Sequence, residues 1–282
     1  MMPLFHIGGI VRNVLSPLLA GGSVIPCKNF DPVLFWDTLF SVNFTWYYAA
    51  PTMHHAILLE AENRPKPLPV STVRFIANAA GGLLPVLAES LKITFGATIL
   101  TSYGMTECMP ISSPTQAYKM NPTGTSGQQV GPDIIVTDED HISELPRGDM
   151  GNILIRGAPC FGGYEGNAAS NAEAFFTVNG KPGWFDTGDT GYMDSAGFLF
   201  ISGRSKEIIN KGGETISPFE IEEVIVQHPC VKETLAFSAP HDTYQETVGV
   251  VIVSRKDKPR PDLQTLHKYL DSRLHRSKWP QV

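Results

Sequence analysis

Strand-like and helix-like segments alternate through the first third of the sequence, and this alternation limits the architecture more than any other feature. Residues 45–50 (TWYYAA) are rich in aromatic and β-branched residues and stop at Pro51, as a buried strand would. Residues 52–62 read as a helix capped by Thr52. Residues 73–78 (VRFIAN) form the next strand, Pro85–Phe95 the next helix, and residues 98–102 a third strand. Upstream, residues 10–19 read as a buried helix ended by Gly21 and Gly22. Residues 23–27 read as a short strand and residues 32–41 as an amphipathic helix. Strands separated by single helices at this spacing predict a parallel α/β layer.

The texture changes twice further on. Gly, Pro and Thr dominate residues 114–132, followed by short strands near 134–137 and 152–156, which predicts a small β-rich unit. After Gly203 the order becomes helix (217–227), strand (233–238), strand (248–253), helix (262–274), with a Pro/Lys-rich solvated loop at 256–261. The expected fold class is α/β: a partial parallel α/β layer over residues 1–113, a small distorted β-barrel over 114–202, and an α+β lid domain over 203–282. Limited proteolysis is expected to cut first near Gly203.

The 282 residues carry a net charge of −6, which offers no general attraction to a nucleic-acid polymer or an anionic membrane. No stretch is apolar for long enough to predict a membrane span. Residues 1–22 resemble a signal peptide only loosely, because His6, Arg12, Asn13 and Pro17 break the apolar run. The four cysteines, Cys27, Cys108, Cys160 and Cys230, have no CxxC spacing and read as reduced thiols. A cytoplasmic location is expected, with the peroxisome as the alternative.

Three motifs carry chemistry. Tyr103-Gly104-Met105-Thr106-Glu107 follows the strand at 98–102, at the edge where an open α/β sheet presents a ligand crevice. Its aromatic, hydroxyl and carboxylate suit a base, a phosphate and a metal, although a short polar loop there is also ordinary. In the stretch 183–191 (GWFDTGDTG), Asp189 reads as a turn residue that either faces a ligand diol or caps its own backbone. The stretch 203–222 (GRSKEIINKGGETISPFEIE) leads through a Gly-Gly loop to Ser217, Pro218 and Glu220, a capping-box pattern.

In this order and spacing the motifs resemble the adenylate-forming superfamily of acyl-CoA synthetases, carrier-loading adenylation domains and luciferases. The resemblance covers nearly the whole chain. It includes a Phe-His segment at 3–9 (PLFHIGG), a small-residue loop at 78–83 (NAAGGL) and a Gly-Tyr motif ending at Gly163-Tyr164. It implies that Ala79, Ala80, Gly81, Ser102, Tyr103, Gly104, Met105, Thr106, Asp189 and Arg204 bind AMP or ATP. Within that set Tyr103 would stack on adenine, Thr106 would meet the α-phosphate, Asp189 would hold the ribose hydroxyls, and Arg204 would add a ribose or phosphate contact. Glu107 would hold Mg²⁺, and Lys206 would be the hinge of the lid. His6, Lys211, Gly212 and Gly213 would line the acyl and CoA tunnel, with a packed core histidine as the rival reading of His6. The implied cofactors are ATP, Mg²⁺ and CoA, and the implied partner is a small carboxylic acid.

The wording of residues 45–52 and 209–222 looks most like the oxalate–CoA ligase and 4-coumarate–CoA ligase branch. Cys108-Met109-Pro110-Ile111 departs from the oxalate pattern, which carries a His there, and argues against oxalate. The alternatives are loading of a carrier protein's pantetheine, and an inactive AMP- or acyl-binding remnant. The resemblance also implies a C-terminal half. The family's phosphate loop lies upstream of PLFH, and its second catalytic Lys lies beyond Lys278, so the isolated chain is expected to be inactive. Residues 124–127 (GTSG) look like that phosphate loop but follow YGMTE and lack its Lys.

Overall fold

The structure, a computed structural model, describes residues 2–78, 83–114, 122–212 and 214–282, apart from the side chains of Lys206 and Thr215. By internal packing the chain forms two compact units. The first comprises Met1–Asp149, Ile153–Thr187 and Tyr192–Ile201, and the second Met150–Asn152, Gly188–Gly191 and Ser202–Val282.

The first unit contains the expected parallel layer. Strand Phe75–Asn78 lies between Trp46–Ala49 and Thr98–Leu100, parallel to both, with Tyr47 opposite Ile76 and Ile76 opposite Ile99. Helices Pro32–Val42, Pro51–Asn63 and Pro85–Phe95 accompany the sheet. The Trp36 ring stacks on Phe95 at 5.0 Å between centroids, and its indole N–H donates to the Ile57 carbonyl at 2.9 Å. Burial of such rings is the main driving force for this layer. Asp31 caps the first of these helices by accepting from the Val33 and Leu34 amides.

Strands Tyr103–Met105, Cys108–Ser113 and Gln128–Gln129 form a small antiparallel sheet. A second sheet runs in the order Leu199–Arg204, Lys181–Met193, Gly151–Arg156, Asp133–Thr137, with Phe175–Val178 also on Lys181–Met193. Ile111, Ile134, Ile153, Ile155, Phe185 and Leu199 share one buried core, so these strands form a curled half-barrel. The GTSG stretch is part of its framework. Thr125 donates to the Leu199 carbonyl at 2.8 Å, and Gly127 has φ +99°, where an added Cβ would lie 2.1 Å from the Ser113 carbonyl oxygen.

The second unit has a four-stranded sheet in the order Glu214–Ile216, Ile209–Lys211, Gln245–Ser254, Val231–His241. Helices Pro218–Ile225 and Leu263–Leu270 supply Ile221, Ile225, Leu266 and Leu270 to its core. Its two helices and two long strands follow the helix, strand, strand, helix order read from the sequence.

Several local expectations are corrected. Residues 7–19 form one helical run with Val11–Leu15 wound as a π-helix, but it is not buried: Leu18 is 55% exposed and Leu19 86%. Its apolar residues are spread around the axis, so one packed side leaves others outside. Residues 23–27 pair with no strand among the described residues, because Pro26 removes a donor and only Val24 and Ile25 favour extension. Thr52 is the second helical residue and not the cap; Pro51 takes the first position after Ala50. The capping box at Ser217 does not form. The Ser217 hydroxyl donates to the Ser202 carbonyl, and Glu220 is held by Lys278 Nζ, 2.7 Å from both carboxylate oxygens.

Candidate functional site

Thr106 and Glu107 are the whole loop of a tight hairpin, since Met105 pairs directly with Cys108. A two-residue loop fixes both side chains relative to two strands. Thr106 is exposed, Glu107 half-buried, and Gly104 exposed between Tyr103 and Met105, which pack against the half-barrel core. Ser102 is half-buried just before the strand.

The Glu107 carboxylate is anchored from far along the chain. The Tyr164 hydroxyl donates to Glu107 Oε1 at 3.0 Å, and the Phe161 amide donates to the Glu107 carbonyl at 2.8 Å. Asn171 fixes Tyr164 in turn: its Oδ1 accepts from the Tyr164 amide at 2.7 Å, and its Nδ2 donates to the Tyr164 carbonyl at 2.9 Å. Desolvation, then the carboxylate, pushes the Tyr164 phenol above its ordinary value, so it remains a donor at neutral pH. The sequence marked Gly163-Tyr164 only as the end of a motif, and nothing local ties Tyr164 or Asn171 to a residue so far upstream.

Asp189 lies inside the long strand Lys181–Met193 and not in a turn; Gly188, at φ +72°, supplies the only left-handed residue beside it. Strand pairing has overridden the turn signal of the two flanking glycines. Asp189 is well covered, and its Oδ1 lies 3.6 Å from Nε of Arg204, whose side chain is 70% exposed. The Ser205 hydroxyl donates to the Gly188 carbonyl at 3.1 Å, tying the segment after Arg204 to the segment before Asp189.

Lys211 is buried at 9% exposure and its Nζ donates to the Ser277 carbonyl at 2.8 Å, near the face of Tyr244. Desolvation lowers its pKa, and Glu214 opposes that shift. Gly212, at φ +59°, is fixed by its amide to the Tyr244 carbonyl at 3.0 Å. Lys206 sits in a 3₁₀ turn, Ser205–Glu207. Ala79, Ala80, Gly81 and Gly213, and the Lys206 side chain, lie outside the described residues. His6 is exposed beside Phe5, which overturns the packed-core reading of that histidine.

The structure thus assembles three groups: Tyr103 to Glu107 with Tyr164 in the first unit, and Asp189 with Arg204, and Lys211 with Gly212, in the second. A cavity of about 340 Å³ in the first unit, bordered by Asn13, Phe30, Leu34, Trp46 and Tyr48, includes none of the predicted site residues. No cluster of three or more His, Cys, Asp or Glu that could hold a metal occurs among the described residues. A lone carboxylate still suits Mg²⁺, which is commonly held by one or two carboxylates plus substrate phosphates. No helix among the described residues is long and apolar enough to cross a membrane.

The fold and sequence of the chain are shared with known proteins. The chain is 37% identical over 260 residues to a probable CoA ligase of Humulus lupulus, covering 91% of this chain and 48% of that protein. It is 38% identical over 258 residues to the oxalate–CoA ligase of Saccharomyces cerevisiae, covering 91% and 46%. ATP-bound MatB from Rhodopseudomonas palustris superposes with a TM-score of 0.87 at 30% identity, over 99% of this chain and 54% of that one. The O-succinylbenzoate–CoA synthetase MenE of Bacillus subtilis, in complex with AMP, gives 0.82 at 26%, over 99% and 55%. The chain therefore spans about half the length of the curated relatives it matches. The profile of AMP-binding enzymes matches residues 1–165, more than half of the 282, and the chain belongs to the AMP-binding enzyme family.

Proposed function

We propose that this chain carries part of the site of an ATP-dependent ligase that joins a small carboxylic acid to CoA. The observation that carries the reading is the hairpin loop Thr106–Glu107, with its carboxylate held by Tyr164. In the first half-reaction the acid's carboxylate attacks the α-phosphorus of ATP and pyrophosphate leaves. In the second the CoA thiol attacks the acyl carbonyl and AMP leaves.

The residues divide this work by position. The Thr106 hydroxyl donates to an α-phosphate oxygen, and the Tyr103 ring faces the adenine, whose loop is Ala79, Ala80 and Gly81. Asp189 accepts from the ribose hydroxyls, and the exposed guanidinium of Arg204 offers positive charge to ribose or phosphate. Glu107 would hold Mg²⁺, which when bound neutralises phosphate charge. Tyr164 keeps one carboxylate oxygen in place. Lys206 serves as the hinge residue, and His6, Lys211, Gly212 and Gly213 belong to the acyl and CoA end. Catalysis of this kind rests on positioning and charge stabilisation, without a covalent protein intermediate.

Calorimetric titration with AMP tests the reading. Asp189→Ala removes a charged acceptor worth about 1.5–3 kcal/mol, so affinity should fall by roughly 10- to 100-fold. Equal affinity in the variant would reduce Asp189 to a strand residue and overturn the assignment.

A further inference from the structure

Cys108 and Cys160 stand outside the chemistry proposed above, yet the fold brings them together. Their Sγ atoms are 3.4 Å apart, across 52 positions of sequence. They are direct antiparallel partners in an isolated bridge. The flanking hydrogen bond, from the Phe161 amide to the Glu107 carbonyl, marks them as a pair that does not exchange its own backbone bonds. In that register Cα atoms approach to about 4.5 Å, which lies within the range of about 4.4–6.8 Å seen across disulfides. The other two cysteines are not bonded to this pair: Cys27 is exposed and Cys230 half-buried.

We propose that Cys108 and Cys160 form a dithiol that a disulfide oxidant, such as oxidised glutathione, converts to an intramolecular disulfide. Cys160 is half-buried and meets the oxidant; Cys108 is buried and resolves. The Cys160 thiolate attacks one glutathione sulfur, breaking the oxidant's S–S bond and releasing one glutathione thiolate. The Cys108 thiolate then attacks Sγ of Cys160, forming the protein S–S bond and releasing the second. The two protons lost by the cysteines end on the two glutathiones, so the protein loses two electrons and glutathione disulfide gains them. Both sulfurs are partly or wholly shielded from solvent, so the exchange is slow. The product would covalently link the residue after Glu107 to the residue before Phe161, at one end of the Glu107–Tyr164 contact.

Peptide mapping of the whole chain after incubation with oxidised glutathione tests this, with remaining thiols blocked before digestion. The expected result is a cross-linked peptide pair containing Cys108 and Cys160, which dithiothreitol splits. In a Cys27→Ser/Cys230→Ser variant, the thiol titre in denaturant should fall from two per chain to none. The same treatment of the urea-unfolded wild-type chain should give no preference for this pair. Recovery of Cys108 and Cys160 as free thiols, persistence of a glutathione adduct on Cys160, or equal pairing in the unfolded chain would overturn the proposal. These readouts involve neither AMP nor turnover, so they stand apart from the proposed ligase activity.

Discussion

His54 makes the first unit sensitive to acid. It lies in the first turns of helix Pro51–Asn63 with no exposed surface. Burial holds its pKa down to about 4 from 6.5, although the Ala49 backbone and the Asn78 side chain act in the opposite direction. In the unfolded chain the imidazole protonates near its ordinary value, so between these two pKa values the unfolded state binds more protons. Stability from neutral His54 is full above about pH 6.5, declines as pH falls through that window, and is gone near pH 4. At 1.36 kcal/mol per unit, the whole shift is worth about 3 kcal/mol, and roughly 2.5 kcal/mol of it is lost between about pH 8 and 4.5. The perturbation is His54→Leu, which keeps the volume and removes the titration. Urea unfolding followed by the fluorescence of Trp36 and Trp46 should show wild type losing about 2.5 kcal/mol more than the variant over that interval. The difference between the two chains cancels the contributions of other groups, including Glu222 and Glu223, whose pKa values burial raises. Parallel pH profiles for wild type and variant, or a His54 resonance titrating near 6.5 in the folded protein, would refute the reasoning.

Three further outcomes follow from contacts described above. Tyr164→Phe should raise the Mg²⁺ concentration needed for half-maximal ATP binding by about tenfold, as loss of an orienting partner does at metal sites, while a calorimetric AMP titration without metal stays unchanged. Gly127→Ala places a Cβ against the Ser113 carbonyl at a left-handed φ, so chemical denaturation should show a loss of roughly 2–4 kcal/mol. Lys278→Ala breaks a short but partly exposed pair with Glu220; the same assay should show no more than about 1 kcal/mol.

Local signals were legible where the chemistry that sets them is local. Helix Pro85–Phe95 was readable to the residue, because Pro85 opens it and Gly96, at φ +64°, closes it. The parallel layer was readable because its three strands are apolar and β-branched or aromatic, and helices separate them. The sequence misled wherever a tertiary partner outbid a neighbour. Glu220 left the Ser217 cap for Lys278, and Ser217 itself turned to Ser202. Asp189 carried turn-like glycines but was drawn into a strand. The support of Glu107 could not be read at all, since Tyr164 is 57 positions away and its clamp, Asn171, lies beyond it. The roles assigned to Thr106, Glu107, Asp189 and Arg204 came from the family likeness; the geometry adds which of them have partners.

The hairpin between Met105 and Cys108 also governs how this segment can vary. Its loop has no spare residue: Thr106 and Glu107 are bounded on both sides by a paired residue. Replacing either side chain leaves the backbone path intact. Inserting one residue and keeping the two-residue loop would shift the pairing and displace buried Cys108 from its place opposite Met105. The segment should therefore tolerate changes of letter and reject changes of number, so a library built here should randomise identities at fixed length.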